Sequence, residues 1–561
     1  MFNKKLLKTI GSCLFLFILC FGIISCVNAA DMGNDKDTQY KKVNSTITIG
    51  PKTPGGLKEA INLAKINSTI YLKNGIYTGK NNTGIIINKN ITIQGLGTKV
   101  TINAQGKNRI FYIKNGNITI KNLKLTNGFV CRINPSNEAN DNGGAIYCKN
   151  GFLNVKNCIF TNNWVSRSGG AIFSNGDYLK VSNSIFTNNE AKRDGGAIWI
   201  DCYPQKSSLI VKNCSFTNNQ AKWGGAINLQ SKSTINHSTF TNNKADYGGA
   251  IVDYYGGSVN NCIFTKNKAT RDGGAIYGYD NNISNCIFTG NQAETGGALS
   301  SGNIKVNKCI FTNNHAKIDG GAIFDWGSSF YKCTFKNNQA EYGGAIYTSK
   351  SRIKQCTFTN NQGMYGGAIY NSWNSTINNC TFKNNKAKLI GGAIYSSQSK
   401  INQCLFTNNQ ARYGGAIFDN TNSTINNCKF QNNKAKLDGG AIYEDGQYNF
   451  YYCNNYDYYD INLGVSSLKV SNSTFSSNLA KRNGGAIYSK CNSTVKKCSF
   501  NNNKANLMGG AIYNQEKSLN ISNSKFTKNI ASKKYNAIIN KGTIYRKNVI
   551  ITPKDGTIVK K

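Results

Sequence analysis

The chain has 561 residues, and 67 basic against 26 acidic side chains give it a formal charge of +41. Five prolines, and no Pro-rich or Ser-rich linker, argue against a second folded domain. The two histidines, His237 and His315, are isolated and no Cys-x-x-Cys pair occurs, so no metal or cofactor is expected.

Residues 1–30 read as a signal peptide. Lys4, Lys5 and Lys8 form a basic region, Leu14 to Ile24 an apolar one, and Val27-Asn28-Ala29 a small-residue cleavage site. Cleavage at Ala29 or Ala30 is favoured over lipidation of Cys26, and the uncleaved segment is short for a membrane anchor. The protein is therefore expected to be secreted or held at the cell surface, which disfavours nucleic acid as a partner. Residues 31–53 are expected to be a flexible, polar lead-in.

Residues 54–140 are predicted to be a cap followed by irregular coils. Apolar residues at 57, 60, 61 and 64 have helical spacing, and a short amphipathic helix there would close the open end of a coil stack. Strand-like runs follow, such as Thr69-Ile-Tyr-Leu72 and Ile91-Thr-Ile93.

Residues 141–540 are repeats. Gly-Gly-Ala-(Ile/Leu) occurs fifteen times from Gly143 to Gly509, mostly 23 to 26 residues apart, each copy followed by a (Cys/Ser)-x-Phe-x-x-Asn segment. One repeat cannot bury its own apolar face, so neighbours must stack. Ser375-Thr-Ile-Asn-Asn-Cys-Thr-Phe382 is β-branched and aromatic without a helical stripe, so each repeat makes one coil of strands. The prediction is an all-β, parallel β-helix solenoid, at about 4.8 Å per coil. The Asn of Phe-x-x-Asn is present in all fifteen repeats, and Asn338, Asn361, Asn385, Asn409 and Asn433 represent a structural ladder. The same column also suits a left-handed turn. The residue two before each Phe is Cys or Ser, which favours small buried thiols over disulfides or metal ligands. Residues 541–561 are expected to finish the β-helix.

Gly366 to Ile369 paired with Phe382 to Asn385 resembles the polymorphic outer-membrane protein repeat. Leu57-Lys-Glu-Ala-Ile, Ile70-Tyr-Leu-Lys-Asn-Gly-Ile-Tyr77 and Ile91-Thr-Ile-Gln-Gly95 are similar to the start of pectate-lyase-like β-helix proteins. The combination is most like the secreted adhesin-like proteins of methanogenic archaea. That resemblance implies a right-handed β-helix at the cell surface and, more loosely, adhesion to a cell or wall polysaccharide.

The residues themselves leave several functional readings open. The positive charge suits solubility, or a polyanionic glycan. The residue after Gly-Gly-Ala-Ile is aromatic in most repeats. A packed ladder is favoured there; as an exposed row, Tyr347, Tyr370 and Tyr395 are a candidate ligand surface. The interval from Gly439 to Gly484 is 45 residues, and the insertion near 446–464 adds candidates Tyr448, Tyr451, Tyr452, Tyr456, Tyr458 and Tyr459. A lyase or glycosidase needs converging carboxylates or an acidic metal cluster. Asp194, Asp272, Asp319 and Asp438 share a column, but no two lie in adjacent coils. No catalytic residue is assigned, and a non-catalytic adhesin-like protein is preferred to a structural surface-layer rod or an enzyme.

Overall fold

The computed structural model describes residues 46–131, 141–201, 207–446, 466–515, 517–532, 537–552 and 558–560. The expected signal peptide, and all six tyrosines named in the insertion, lie outside these residues.

The predicted parallel solenoid forms, and one coil shows why. Ile369–Trp373 joins a 19-stranded sheet. Thr376–Asn378 and Thr381–Lys383 join a 37-stranded sheet that takes two strands from each regular coil. Lys386–Ile390 joins a short third sheet. Pairing with the next coil is parallel and in register, matching Ile369 to Ile394, Ile377 to Ile401 and Phe382 to Phe406.

The corners between strands are left-handed residues, and Asn tolerates that region better than other residues with a Cβ. Asn374, Asn379 and Asn384 have φ of 44°, 52° and 56°. This corrects one detail of the sequence reading. Asn384 turns the corner, whereas Asn385, three after the Phe, points inward. The Gly pair marks a further corner. Gly391 has φ +63°, and a Cβ on Gly392 would lie 2.0 Å from the carbonyl oxygen of Gly415 in the next coil.

Inside, three columns run from coil to coil. The Phe rings stack in near-parallel planes, as at Phe382 and Phe406, whose centroids are 4.8 Å apart. The second column is Asn. Both the backbone N–H and Nδ2 of Asn361 donate to Oδ1 of Asn385 at 3.0 Å, and Nδ2 also donates to the Phe335 carbonyl at 3.1 Å. The same pattern continues across the insertion, where Asn433 donates to Asn478 at 3.0 Å. The third column is Cys or Ser. Cys333 N–H donates to Cys356 Sγ at 3.4 Å, and Cys428 N–H to Ser473 Oγ at 3.0 Å. Sγ of Cys380 and Oγ of Ser473 each donate to the carbonyl two residues earlier, at 3.2 and 2.7 Å. The slot requires a small side chain that both accepts and donates, which is why Cys and Ser exchange. All cysteines among the described residues are free thiols, and burial pushes Cys158 up to about 12.

The N-terminal helix, Gly56–Leu63, stands between Thr46–Ile49 and Ser68–Leu72, in place of the remaining strands of the first coil. It buries Leu57, Ala60 and Ile61. At the other end Ile544–Ile551 pairs with Leu519–Thr527 and exposes Tyr545 and Ile550.

A set of acids is buried inside the solenoid, two residues after the inward Ile. Asp253, Asp325, Asp419 and Glu444 are all 0 % exposed. Asp419 accepts from Ser423 Oγ at 2.5 Å, and Glu444 from Ser489 Oγ at 2.5 Å and Ser466 Oγ at 3.1 Å. Asp419 and Glu444 are register partners in successive coils. Burial, reinforced by the charge of Glu444, raises Asp419 to about 8, and burial also raises Glu444.

Two predictions follow from this core. Asn385→Ala strands the donors of Asn361 and should destabilise the solenoid by about 2–4 kcal/mol, read by urea unfolding, whereas Cys380→Ser should stay within about 1 kcal/mol. An unchanged midpoint for Asn385→Ala would mean that the ladder contributes nothing net. The acid pair binds more protons folded than unfolded, so stability falls as pH rises from about 4 to about 8. Asp419→Asn should therefore raise stability at pH 8 by about 2–4 kcal/mol and little at pH 4. A lower thermal midpoint at pH 8 would show that the ionised carboxylate is required there.

Candidate functional site

Two columns meet outside the core, one on each side of the Gly-Gly corner. One is the residue after Gly-Gly-Ala-Ile, the other the residue before the Gly pair. Along most of the stack they fill the seam between them. Tyr347, Tyr370 and Tyr395 are only 3, 3 and 2 % exposed, so they are not an exposed row and the ligand-surface assignment is corrected. They belong to a continuous cluster from Phe324 to Ile539, covered by Tyr342, Tyr365, Ile390, Tyr413 and Met508 of the opposite column. Tyr370 and Tyr395 stack at 4.4 Å, and Tyr342 meets Tyr370 edge-on at 5.4 Å. A second cluster, Tyr147, Phe173 and Trp199, fills the seam nearer the N-terminus.

Between the two clusters the first column is no longer continuously aromatic, although Asn228, Val252 and Ser300 within it are still buried. The first column there carries Asn228, Val252, Tyr277 and Ser300 in successive coils. Large rings stand at this interruption with faces or edges in solvent: Tyr254, Tyr255, Tyr279 and Trp326 are 36, 52, 39 and 45 % exposed. Tyr279, Gly302 and Trp326 are register partners in three consecutive coils. A Cβ at Gly302 would lie 3.2 Å from the Tyr279 ring and 3.9 Å from the Trp326 ring, so the two rings lean over the buried glycine. Trp326 is braced edge-on by Phe324 at 4.6 Å. Tyr254 meets Tyr277 edge-on at 5.8 Å, and Trp223 stacks on Tyr247 at 3.9 Å.

The acids of the opposite column divide into two kinds. Asp194 accepts from Ser168 Oγ at 2.9 Å and Asn228 Nδ2 at 3.0 Å, and pairs with Arg193 at 3.2 Å. Asp438 accepts two bonds from Arg482 Nε, both at 2.9 Å, and one from the Asn483 N–H at 3.0 Å. Both are structural. Asp272 and Asp319 are half-buried, and no described side chain donates a hydrogen bond or forms an ion pair with either. Burial and the charge of Glu294 lift Asp272 to about 6, against the pull of Arg271. Burial, Glu341 and Asp272 lift Asp319 to about 7. Each is a register partner of Thr295, so two coil steps, about 9.6 Å, separate their backbones. Arg271 turns away, donating to the Tyr247 hydroxyl at 2.7 Å. Asp325, in the same coil as Asp319, faces the interior, where Ser351 donates to it at 2.8 Å.

The interruption was legible, because Asn228, Val252 and Ser300 break the aromatic column in the sequence, but its exposed rings were not. Tyr254, Tyr279 and Trp326 fall outside the repeated motif, so no column reading selects them. Among the described residues no group of three or more His, Cys, Asp or Glu is arranged to hold a metal ion. No helix there is long and apolar enough to cross a membrane.

A family model described as a right handed beta helix region matches residues 74–264, 231–340 and 327–457. The Chlamydia polymorphic membrane protein repeat matches 472–490 and 497–515. No curated protein sequence matches the chain. Among solved structures, a PL6 alginate lyase in complex with a trisaccharide is 14 % identical at TM-score 0.37, covering 60 % of this chain and 86 % of that one. The A-module of a mannuronan C-5 epimerase from Azotobacter vinelandii is 11 % identical at TM-score 0.21, covering 88 % and 93 %. The catalytic unit of an α-1,3-glucanase from Streptomyces thermodiastaticus is 9 % identical at TM-score 0.22, covering 90 % and 65 %. The match of the first family model to most of the chain, on a solenoid whose coils pair in parallel throughout, establishes that the protein belongs to the right-handed β-helix family.

Proposed function

We propose that the chain is a non-catalytic, adhesin-like surface protein that binds a glycan at an exposed aromatic pair beside its outer seam. The polymorphic membrane protein repeats fit a surface protein. The observation that carries the glycan reading is the exposed pair Tyr279 and Trp326 on either side of Gly302. Both rings stand two residues beyond the buried aromatic column, partly in solvent and rigidly spaced by the coil repeat. Rings held this way stack on the apolar faces of sugars at little entropic cost.

A catalytic reading has one observation in its favour. Asp272 and Asp319 stand two coils apart with raised and unequal proton affinities. Their backbone spacing of about 9.6 Å is near the upper limit for carboxylates flanking a water in an inverting glycosidase. The same experiment therefore scores retention and cleavage. Purified protein is presented with a panel of acidic, neutral and amino glycans at near-physiological salt. Selective retention of intact glycan is expected, weakened at least tenfold, about 1.4 kcal/mol, by Tyr279→Ala with Trp326→Ala at an unchanged thermal midpoint. Retention that survives the double variant removes this platform. Glycan shortening that is lost with Asp319→Asn makes the protein an enzyme.

A further inference from the structure

We propose that the glycan taken by these rings is a straight chain of equatorially linked, gluco-configured sugars, the β-1,4 type, lying parallel to the axis of the solenoid. The inference rests on the glycan reading above and names the class of its ligand.

The rings form a strip rather than a single pair. Asp253 and Gly278 are register partners, so Tyr254 and Tyr279, the residues after them, stand in successive coils. Tyr279, Gly302 and Trp326 continue the same column. Tyr254, Tyr279 and Trp326 thus occupy three of four consecutive coils, each more than a third exposed. Three coil steps carry the strip over about 14 Å.

These rings are not stacked as those of the core are. Phe382 and Phe406 lie face to face at 4.8 Å, the coil spacing. Tyr254 and Tyr279 are 21° from parallel but 6.3 Å apart, so they are slid past one another and do not cover each other's faces. Both stand across Tyr277, at 88° and 71° to its ring, and Trp326 stands at 78° to Phe324. The buried column therefore fixes the tilt of the exposed one. Gly302 brings no side chain to the strip, and Cδ1 and Cε1 of Tyr279 lie 3.2 and 3.3 Å from where its Cβ would be. A side chain at 302 would lift the Tyr279 ring; with glycine the ring settles toward Trp326.

This arrangement selects a shape. Sugars whose substituents are all equatorial carry only C–H bonds on their faces, and such faces pack against aromatic rings. Equatorial 1,4-linkage keeps these sugars in a straight, flat ribbon whose advance per sugar is close to the coil repeat of about 4.8 Å. A ribbon parallel to the axis therefore meets Tyr254, Tyr279 and Trp326 at its first, second and fourth sugars. Chains linked α-1,4 or β-1,3 wind into helices, so fewer of their sugars reach a straight strip at once. The rings are held before the ligand arrives, which limits the ordering cost of binding.

The test titrates the full chain by calorimetry at near-physiological salt. The probes are glucose hexamers linked β-1,4, α-1,4 and β-1,3, a β-1,4 N-acetylglucosamine hexamer, and shorter β-1,4 glucose chains down to the dimer. The β-1,4 hexamers are expected to bind about tenfold more tightly than the α-1,4 and β-1,3 ones, with affinity rising to the tetramer and then levelling. Gly302→Val should weaken the β-1,4 hexamers about fivefold at an unchanged thermal midpoint, and the smaller Gly302→Ala by less. Tyr279→Ala with Trp326→Ala should remove the linkage preference. Equal affinity for the three linkages, no gain beyond the dimer, or wild-type binding by both Gly302 variants overturns this inference and leaves the glycan reading standing. Binding only of another glycan, through the same rings, does likewise. No binding of any glycan, or binding indifferent to the ring variant, overturns both.

Discussion

The buried asparagine amide is the interaction on which the rest of this molecule depends. A coil of some two dozen residues has almost no interior, and each corner turns backbone groups away from the sheets. The inward Asn resolves this by accepting two bonds on one oxygen and donating from its nitrogen to the coils on either side. A chain of such bonds is worth most when no member is missing, because each lost acceptor strands two buried donors. The ladder therefore holds the register of every other column. Phe rings stay parallel, the Cys or Ser slot stays aligned, and the two external aromatic columns meet at every coil.

That register is also what makes an interruption informative. In a repeat protein a side chain is read against its vertical neighbours, so Ser300 between Tyr277 and Phe324 interrupts the aromatic column. Beside it, exposed ring surfaces and two half-buried carboxylates stand on a strongly basic chain.

The interior acids follow a different logic. Asp419 and Glu444 sit among serine hydroxyls in the hollow of the coil, shielded from ligands by the sheets. Their mutual repulsion and burial keep a proton on the pair at neutral pH, so they act as hydrogen-bonding groups of the core. Strand alternation places them there: the Ile is inward, the aromatic outward, the acid inward again.

The sequence by itself determined the architecture, because period, inward columns and corner residues all repeat. Fifteen copies leave no ambiguity about which positions are equivalent, and equivalence in a parallel stack is contact. It also placed the amphipathic helix and the column of small buried thiols. It did not decide which outward residues are covered. The sequence shows that Tyr347, Tyr370 and Tyr395 share a column, but their burial depends on Tyr342, Tyr365 and Tyr413 leaning across the Gly-Gly corner. Nor did it reveal that Tyr279 and Trp326 flank Gly302, since these residues lie outside the motif and their meeting follows from register across three coils. Periodicity specifies the direction of a side chain from the backbone, but exposure also depends on what the neighbouring column places over it, and only the tertiary structure decided that.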